Sequence, residues 1–111
     1  MKIKDIIKTL NLQVVSGQES LEREISGGYA GDLLSDVLAN ANKGNLWITL
    51  QIHQNIIAVA SSKELSGIII VNGRNPEAET LKSAQEEKIP VIISNLLTYE
   101  LAGRLYEIGI K

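Results

Sequence analysis

The sequence contains no cysteine, a single histidine (His53) and only two prolines among its 111 residues. Without cysteine, the chain forms no disulfide bond, offers no thiolate nucleophile and has no sulfur ligand for a metal, which is typical of a reducing compartment. A lone histidine also argues against a metal site, because such sites need several converging His, Cys or carboxylate groups. The composition therefore predicts no metal centre and no cysteine chemistry.

Long apolar segments and concentrated charge are missing as well. No stretch approaches the length of a membrane span, and Asp5 and Lys8 interrupt the apolar start, so we expect no signal peptide. The formal net charge is -2, and the 11 Lys and Arg residues are spread along the chain. A surface for nucleic acid or for an anionic membrane needs clustered positive charge. We therefore expect a cytoplasmic protein that binds neither nucleic acid nor a membrane.

The sequence does contain enough apolar material for a core. Hydrophobic residues make up 44% of the chain and charged residues 22%, which is ordinary for a folded domain. A chain of this length buries about two thirds of its unfolded surface. We expect one domain over residues 1–111.

Three short aliphatic runs, at residues 46–50, 68–71 and 91–93, are each followed by a polar tail and then by a helical pattern. Apolar strands that alternate with helices belong to a sheet with helices on both faces. The predicted fold class is therefore α/β, a layered α/β/α domain with a mostly parallel central sheet. In such a sheet the tails emerge at one edge, where open α/β folds bind their ligands. The tails are residues 51–55, 72–75 and 94–95.

The first third of the chain carries weaker signals. The spacing of apolar residues predicts a helix over 3–10, a strand over 12–15 and a second, weakly alternating strand over 21–26. Gly27 and Gly28 indicate a tight backbone passage, where either a positive φ angle or close packing is needed.

Residue types at the ends of the helical patterns predict where helices begin and stop. Asp32 is expected to be the N-cap of a helix that ends at Gly44. Asn75 is expected to cap a later helix, with Pro76 at its first position. Between them, a helix over 55–64 is so uniformly apolar that it should be buried on more than one side, in part by a second subunit.

No sequence motif for catalysis or for phosphate binding is present. The chain lacks a G-x-x-x-x-G-K-[ST] loop, and Gly27, Gly28 and Gly31 miss the G-x-G-x-x-G spacing. A Ser-His-Asp triad assembles from distant residues, but no pattern here indicates one. We therefore assign no catalytic residue, no metal and no cofactor.

Two side chains beside the predicted sheet edge have two interpretations each. His53 either contacts a ligand or has a structural role, in which it caps the following helix or bonds a backbone carbonyl. We favour the structural role because no other ligand or base accompanies the histidine. Arg74 either binds a phosphate or carboxylate beside a helix N-terminus or is an exposed turn residue, and both interpretations stay open. The candidate ligand-binding residues are Gly27, Gly28, Thr49, Gln51, His53, Asn72, Gly73 and Arg74.

Several separated segments, beginning with Glu22-Arg23 and Ser26-Gly27-Gly28-Tyr29, together resemble the DRTGG domain family. Glu22 and Ser26 stand where the family's name has Asp and Thr, and they keep the charge and the hydroxyl. The other matching segments, in the family's order, are residues 31–36, 47–49, 53–56, 67–73, 89–91 and 100–105.

This resemblance implies an α/β fold similar to the N-terminal domains of HPr kinase/phosphorylase and of some Mur ligases. It implies no chemistry of its own, since the phosphate-binding loop of that kinase lies in a C-terminal domain that this chain lacks. In larger proteins DRTGG domains accompany phosphotransacetylases and CBS-domain pyrophosphatases as regulatory or dimerisation parts. Some stand-alone copies are associated with iron hydrogenases and with histidine-kinase-like proteins, which are the partners that the resemblance suggests.

Three functions from different classes follow from these observations. We favour a non-catalytic regulatory or interaction module that forms a homodimer and docks on a metabolic or signalling enzyme, since symmetric dimers are common and Tyr99 and Tyr106 share a face of the last helix. The alternative is a sensor that binds an anionic nucleotide or phosphometabolite at the carboxyl edge of the strands. Asn72 and Arg74 are expected to line that site, and Gly28 to allow close approach of the ligand. An independent enzyme has the least support, because one histidine and no cysteine leave few catalytic groups.

Overall fold

The computed structural model describes residues 1–111, which form five strands and five α-helices. The strands are β1 (Gln13–Ser16), β2 (Gly27–Ala30), β3 (Asn45–Thr49), β4 (Gly67–Ile70) and β5 (Val91–Ile93). The helices are α1 (Ile3–Leu10), α2 (Leu34–Asn40), α3 (Asn55–Ser62), α4 (Ala78–Glu87) and α5 (Thr98–Glu107). A single 3-10 turn, Gln18–Ser20, follows β1.

The five strands form one sheet in the order β1-β5-β4-β3-β2. Strands β2 to β5 run parallel to one another, and β1 lies antiparallel beside β5 at one edge. The predicted fold class, a layered α/β domain with a mostly parallel sheet, is confirmed. None of the helices combines the length and the apolar character that crossing a bilayer requires.

The sheet separates two apolar cores, because alternate side chains of a strand point to opposite faces. On one face, Trp47, Ile68 and Ile70 pack against residues of α2, α3 and α4. On the other face, Ile48 and Ile69 pack against residues of α1 and α5. The sheet is therefore covered on both sides, as the apolar strands predicted.

Helix α3 is buried on more than one side, as its sequence predicted. Ile56, Ile57, Val59 and Ala60 are buried, and the helix contacts both α2 and α4. Only part of its surface, including Ala58, is exposed. Four of the apolar residues of α3 are thus covered within one chain, and cover of the exposed part by a second subunit stays a prediction.

The strand predicted over residues 21–26 does not form. Apart from one isolated bridge between Lys2 and Glu24, this segment is irregular. Its carbonyl oxygens accept hydrogen bonds from the first turn of α1, with Ile3 N donating to Arg23 O at 3.0 Å and Lys4 N to Leu21 O at 2.9 Å. Because the first N–H groups of a helix have no partner within the helix, this segment satisfies them from outside.

The glycine pair after that segment lies in a strand. Gly27 and Gly28 belong to β2 and lie opposite Asn45 and Leu46 of β3. Neither glycine has a positive φ angle. The positive-φ alternative is therefore wrong, whereas close packing is observed at Gly27, where a Cβ would lie 3.3 Å from the Asn45 side-chain amide.

The predicted N-cap of α4 is wrong, because a contact from a distant part of the chain sets the start of that helix. Helix α4 begins at Ala78, three residues beyond Asn75, so Pro76 lies outside it. The backbone N–H of Glu77 donates to Ile52 O at 3.2 Å, and Thr80 Oγ1 donates to the same oxygen at 2.7 Å.

Helix α2 also differs from its predicted ends. It begins at Leu34 without a side-chain cap and ends at Asn40. Asp32 lies before the helix and its carboxylate binds elsewhere, as described below. Gly44, with φ of +83°, lies in the turn that enters β3.

Ser26, the residue before β2, links this strand to the turn before β3. Its Oγ donates to Lys43 O at 2.7 Å and accepts from the Asn45 side-chain amide at 3.2 Å. Asn45 is buried, so the loss of this acceptor would leave its amide without a partner. The serine hydroxyl therefore contributes to the pairing of two strands.

We expect Ser26→Ala to lower the free energy of unfolding by about 1 kcal/mol, the usual net value of such hydrogen bonds. Urea unfolding followed by circular dichroism measures this change. Ser26→Thr keeps the hydroxyl and is the matched control, with an expected loss smaller than that of the alanine variant. Equal stability of the alanine and threonine variants would contradict this role for the hydroxyl.

Candidate functional site

The carboxyl ends of β3, β4 and β5 meet at one edge of the sheet, as predicted. Backbone hydrogen bonds join the three tails: Val71 N donates to Thr49 O at 3.1 Å, Gly73 N to Ser94 O at 2.9 Å and Asn72 N to Leu96 O at 2.9 Å. We call this edge the rim and define it as residues 49–55, 71–75 and 94–96. It is the place where open parallel sheets bind ligands.

At the β3 end of the rim, two of the candidate ligand-binding residues, Thr49 and Gln51, bind Asp32. Thr49 Oγ1 donates to the Asp32 carboxylate at 2.9 Å, and Leu50 N donates to the same oxygen at 2.7 Å. The Gln51 side-chain amide donates to Asp32 O at 2.8 Å. Thr49 is also fully buried. Both polar side chains thus hold the loop between β2 and α2 against the rim.

His53 caps α3. Its ring Nδ1 accepts a hydrogen bond from the backbone N–H of Asn55, the first residue of that helix, at 3.2 Å. A helix N-terminus has unpaired N–H groups, and a side-chain acceptor satisfies one of them. His53 thus makes the contact of the structural interpretation, and its contact with a ligand stays a prediction.

Arg74 joins the tails of β4 and β3. Its guanidinium Nη1 donates to Leu50 O at 2.7 Å, and the side chain is exposed. A guanidinium carries five N–H donors, and this one makes no other hydrogen bond to the chain. Arg74 is thus held at the rim with donors left for an anion.

The turn before Arg74 brings the backbone close to the β5 tail. Asn72 and Gly73 both adopt the left-handed conformation, with φ of 61° and 62°. A Cβ atom on Gly73 would lie 2.9 Å from Asn95 Oδ1. The positive φ favours glycine at position 73, and a Cβ there would also displace the Asn95 side chain. The rim is therefore continuous from Arg74 to Asn95.

Gly27 and Gly28 lie apart from the other candidate residues. They pair with the first residues of β3, so they occupy the amino edge of the sheet, opposite the rim. Gly28 borders a cavity of about 150 Å³ beside Ala102 and Tyr106 of α5. The structure brings six of the eight candidates to the rim and leaves this pair at the α5 surface.

A cavity of about 330 Å³ at the β5 end of the rim was not predicted. Ser94 and Asn95 of the third tail border it, and so do side chains from β1 and two helices. Asn11 and Gln13 were missed because only the antiparallel pairing of β1 with β5, which puts Gln13 opposite Ile93, brings the start of β1 there. The additional polar lining residues are Asn11, Gln13 and Arg104.

An ionisable pair lies beside the loop that Asp32 anchors. The Tyr29 hydroxyl donates to the Asp36 carboxylate, and Asn40 Nδ2 donates to the other carboxylate oxygen at 2.9 Å. The hydrogen bond to Asp36, together with burial, raises the pKa of Tyr29 above its usual range. The pair ties β2 to α2.

The groups at the rim are suited to binding. The Thr49 hydroxyl and the Gln51 amide bind Asp32, and the His53 ring nitrogen accepts from a backbone N–H. No three His, Asp or Glu side chains converge in a way that would hold a metal ion. Arg74 and the β5 cavity are what the rim offers to a ligand.

The fold and the rim define a layered α/β domain with its polar groups at the carboxyl edge of a parallel sheet. The chain belongs to the DRTGG domain family, whose sequence model matches residues 5–108. This confirms the resemblance seen in the sequence.

A solved structure has the same fold. It contains the CBS and DRTGG domains of the regulatory region of Clostridium perfringens pyrophosphatase, complexed with its activator diadenosine tetraphosphate. The TM-score is 0.72 at 19% sequence identity, over 93% of this chain and 44% of that chain. The present chain thus spans less than half of the length of that structure. Comparison with curated proteins gives no match.

We expect Asp36→Asn to lower the pKa of Tyr29 towards the usual value, because the charged acceptor is removed. Ultraviolet absorbance of the phenolate measures it in a Tyr99→Phe/Tyr106→Phe background, where Tyr29 is the last of the three tyrosines. The raised pKa also fixes the sign of the effect on stability. The hydrogen bond between Tyr29 and Asp36 contributes fully to the free energy of unfolding below the usual tyrosine pKa. This contribution is lost as the pH rises through the raised pKa of Tyr29. An unchanged titration midpoint in Asp36→Asn would contradict this assignment.

Proposed function

We propose that this chain is a non-catalytic regulatory module that forms a homodimer and docks on a metabolic or signalling enzyme. Membership of the DRTGG domain family supports a regulatory role, since the similar structure comes from the regulatory region of a pyrophosphatase. The observation that carries the dimer is an exposed aromatic face on α5.

The α5 face consists of Tyr99, Gly103 and Tyr106, which lie four and three residues apart and therefore share one side of the helix. Tyr99 is 93% exposed and Tyr106 is 61% exposed, whereas Leu101 and Leu105 on the inner side are buried. Large aromatic side chains are enriched at protein interfaces. Two of them exposed on one helix face support a contact with another protein surface.

Gly103 adds a second reason to place an interface there. A glycine within a helix costs about 0.5–1 kcal/mol relative to alanine, and a Cβ at position 103 would meet no atom within 4 Å. Nothing inside the chain therefore requires glycine. Close approach of a neighbouring backbone would require it, as small residues permit where two helices cross.

Charge favours a second copy as the neighbour. Arg104 donates to Glu100 at 2.9 Å on the same helix. Two copies of α5 that pack antiparallel would bring Glu100 of each towards Arg104 of the other. A twofold interface requires such self-complementarity, because the same patch meets itself. The α5 face is therefore proposed as the dimer surface.

We expect the wild-type chain to sediment as a dimer and Tyr106→Glu to sediment as a monomer, because a desolvated carboxylate disfavours the interface. Analytical ultracentrifugation over a range of concentrations measures the mass. Leu33→Glu is the matched control, since Leu33 is 68% exposed and lies beside α2. A wild-type mass of one chain at the highest concentration would exclude the dimer.

The alternative function is a sensor of an anionic nucleotide or phosphometabolite at the rim. Helices α3, α4 and α5 each begin just after a rim tail, and helix N-termini attract anions. Arg74 adds a guanidinium with free donors, and the Asn72–Gly73 turn lies beside it. The nucleotide activator of the similar regulatory region favours this second function.

We expect a nucleotide at a hundredfold excess over its dissociation constant to raise the free energy of unfolding by about 2.7 kcal/mol. Arg74→Ala should remove most of this stabilisation, because the guanidinium is the proposed phosphate contact. Thermal unfolding measures both effects. Lys82→Ala on the exposed surface of α4 removes the same charge away from the rim and should change nothing. Equal responses of wild type and Arg74→Ala would place the ligand elsewhere.

A further inference from the structure

One buried hydroxyl group in this fold has no acceptor for its proton. The chain buries five hydroxyl side chains, and four of them donate to a protein oxygen. Those four are Ser16 to Gln85 Oε1, Thr49 to Asp32 Oδ1, Ser66 to Asn45 O and Thr80 to Ile52 O. The fifth, Ser94, is 4% exposed, and its Oγ accepts from Leu96 N at 3.1 Å but donates to no group of the chain.

Ser94 borders the 330 Å³ cavity at the β5 end of the rim. A buried donor without a partner costs free energy, so the proton of Ser94 marks a place where an acceptor from outside the chain would be stabilised. The volume is within the usual range of small-molecule sites.

Three amide side chains from separate elements border the same cavity. Asn11 ends α1 in the left-handed conformation, Gln13 begins β1 and Asn95 lies in the β5 tail. None of these amides makes a side-chain hydrogen bond to the protein, whereas the Gln51 amide at the other end of the rim does. Apolar side chains complete the lining: Leu10, Leu12, Ile93 and Leu96.

Amides beside apolar walls match the chemistry of one base. Adenine presents a donor, the N6 amino group, next to an acceptor, N7, and Asn and Gln pair with both, whereas guanine presents two acceptors that suit Arg or Lys. The ring faces are apolar enough to lie against leucine and isoleucine side chains. Arg104 also borders the cavity, and its guanidinium makes one hydrogen bond within the chain, to Glu100.

We propose that this cavity binds the adenine base of a nucleotide. The Ser94 hydroxyl donates to a ring nitrogen, the amides of Gln13 and Asn95 bind the base edge, and Arg104 binds the nearest phosphate. Because Asn95 adjoins Gly73, the phosphate chain continues along the rim towards Arg74. This inference rests on the proposed sensor function and adds to it the base and its position.

Isothermal titration of the full chain with ATP, GTP and inorganic tripolyphosphate tests the site. We expect ATP to bind at least about tenfold more tightly than GTP, and Gln13→Ala to weaken ATP binding by about 5- to 100-fold, as for a bidentate base contact. Ser94→Ala should weaken it by about 2- to 10-fold, the value of one hydrogen bond. Gln18→Ala, which changes an exposed glutamine of the 3-10 turn, is the matched control and should bind ATP as wild type does.

The outcomes separate this inference from the sensor function. If ATP, GTP and tripolyphosphate bind equally, and Arg74→Ala weakens binding while Gln13→Ala and Ser94→Ala do not, the adenine site is excluded and an anion sensor remains. If none of the three ligands binds, both proposals are wrong. Gln13 is exposed, so Gln13→Ala provides the test even if Ser94→Ala unfolds.

Discussion

The parallel pairing of β3, β4 and β5 is the constraint on which the rest of this structure depends. Parallel pairing forces the three polar tails to leave the sheet on the same side, and backbone hydrogen bonds then join each tail to its neighbour. Thr49, Asn72 and Ser94 are brought to one edge by this pairing although more than forty residues separate the first from the last. A change in the register of any one strand would disperse the rim.

The sequence predicted the architecture well, because the fold class depends on the apolar character of whole segments. The runs at 46–50, 68–71 and 91–93 became β3, β4 and β5 with bounds shifted by one residue or none. Helix starts were predicted less well. Asp32 and Asn75 are good capping residues by type, but the Asp32 carboxylate binds Thr49 and Leu50, and the start of α4 is held by Ile52 O. These contacts span more than fifteen residues and leave no local pattern.

The candidate site was predictable in position and less so in composition. The position of the rim followed from the common direction of parallel strands, which puts their carboxyl ends at one edge, and six of the eight candidate residues lie there. The sequence does not show which group a polar side chain contacts in space. The binding of Thr49 and Gln51 to the β2–α2 loop was therefore not predicted. The β5 cavity was missed because β1 could pair at either edge of the sheet, and only its pairing with β5 brings Gln13 to Ile93.

Helix α5 connects two surfaces that otherwise have nothing in common. One side of this ten-residue helix carries Arg104 at the β5 cavity, and another carries Tyr99 and Tyr106. Glu100 is bonded to Arg104 and flanks the aromatic face. If the two proposals hold, a phosphate that competes for the guanidinium would also alter the charge presented to the second copy. Self-association and occupancy of the cavity would then change one another's affinity by the same factor, through one short helix and without a hinge.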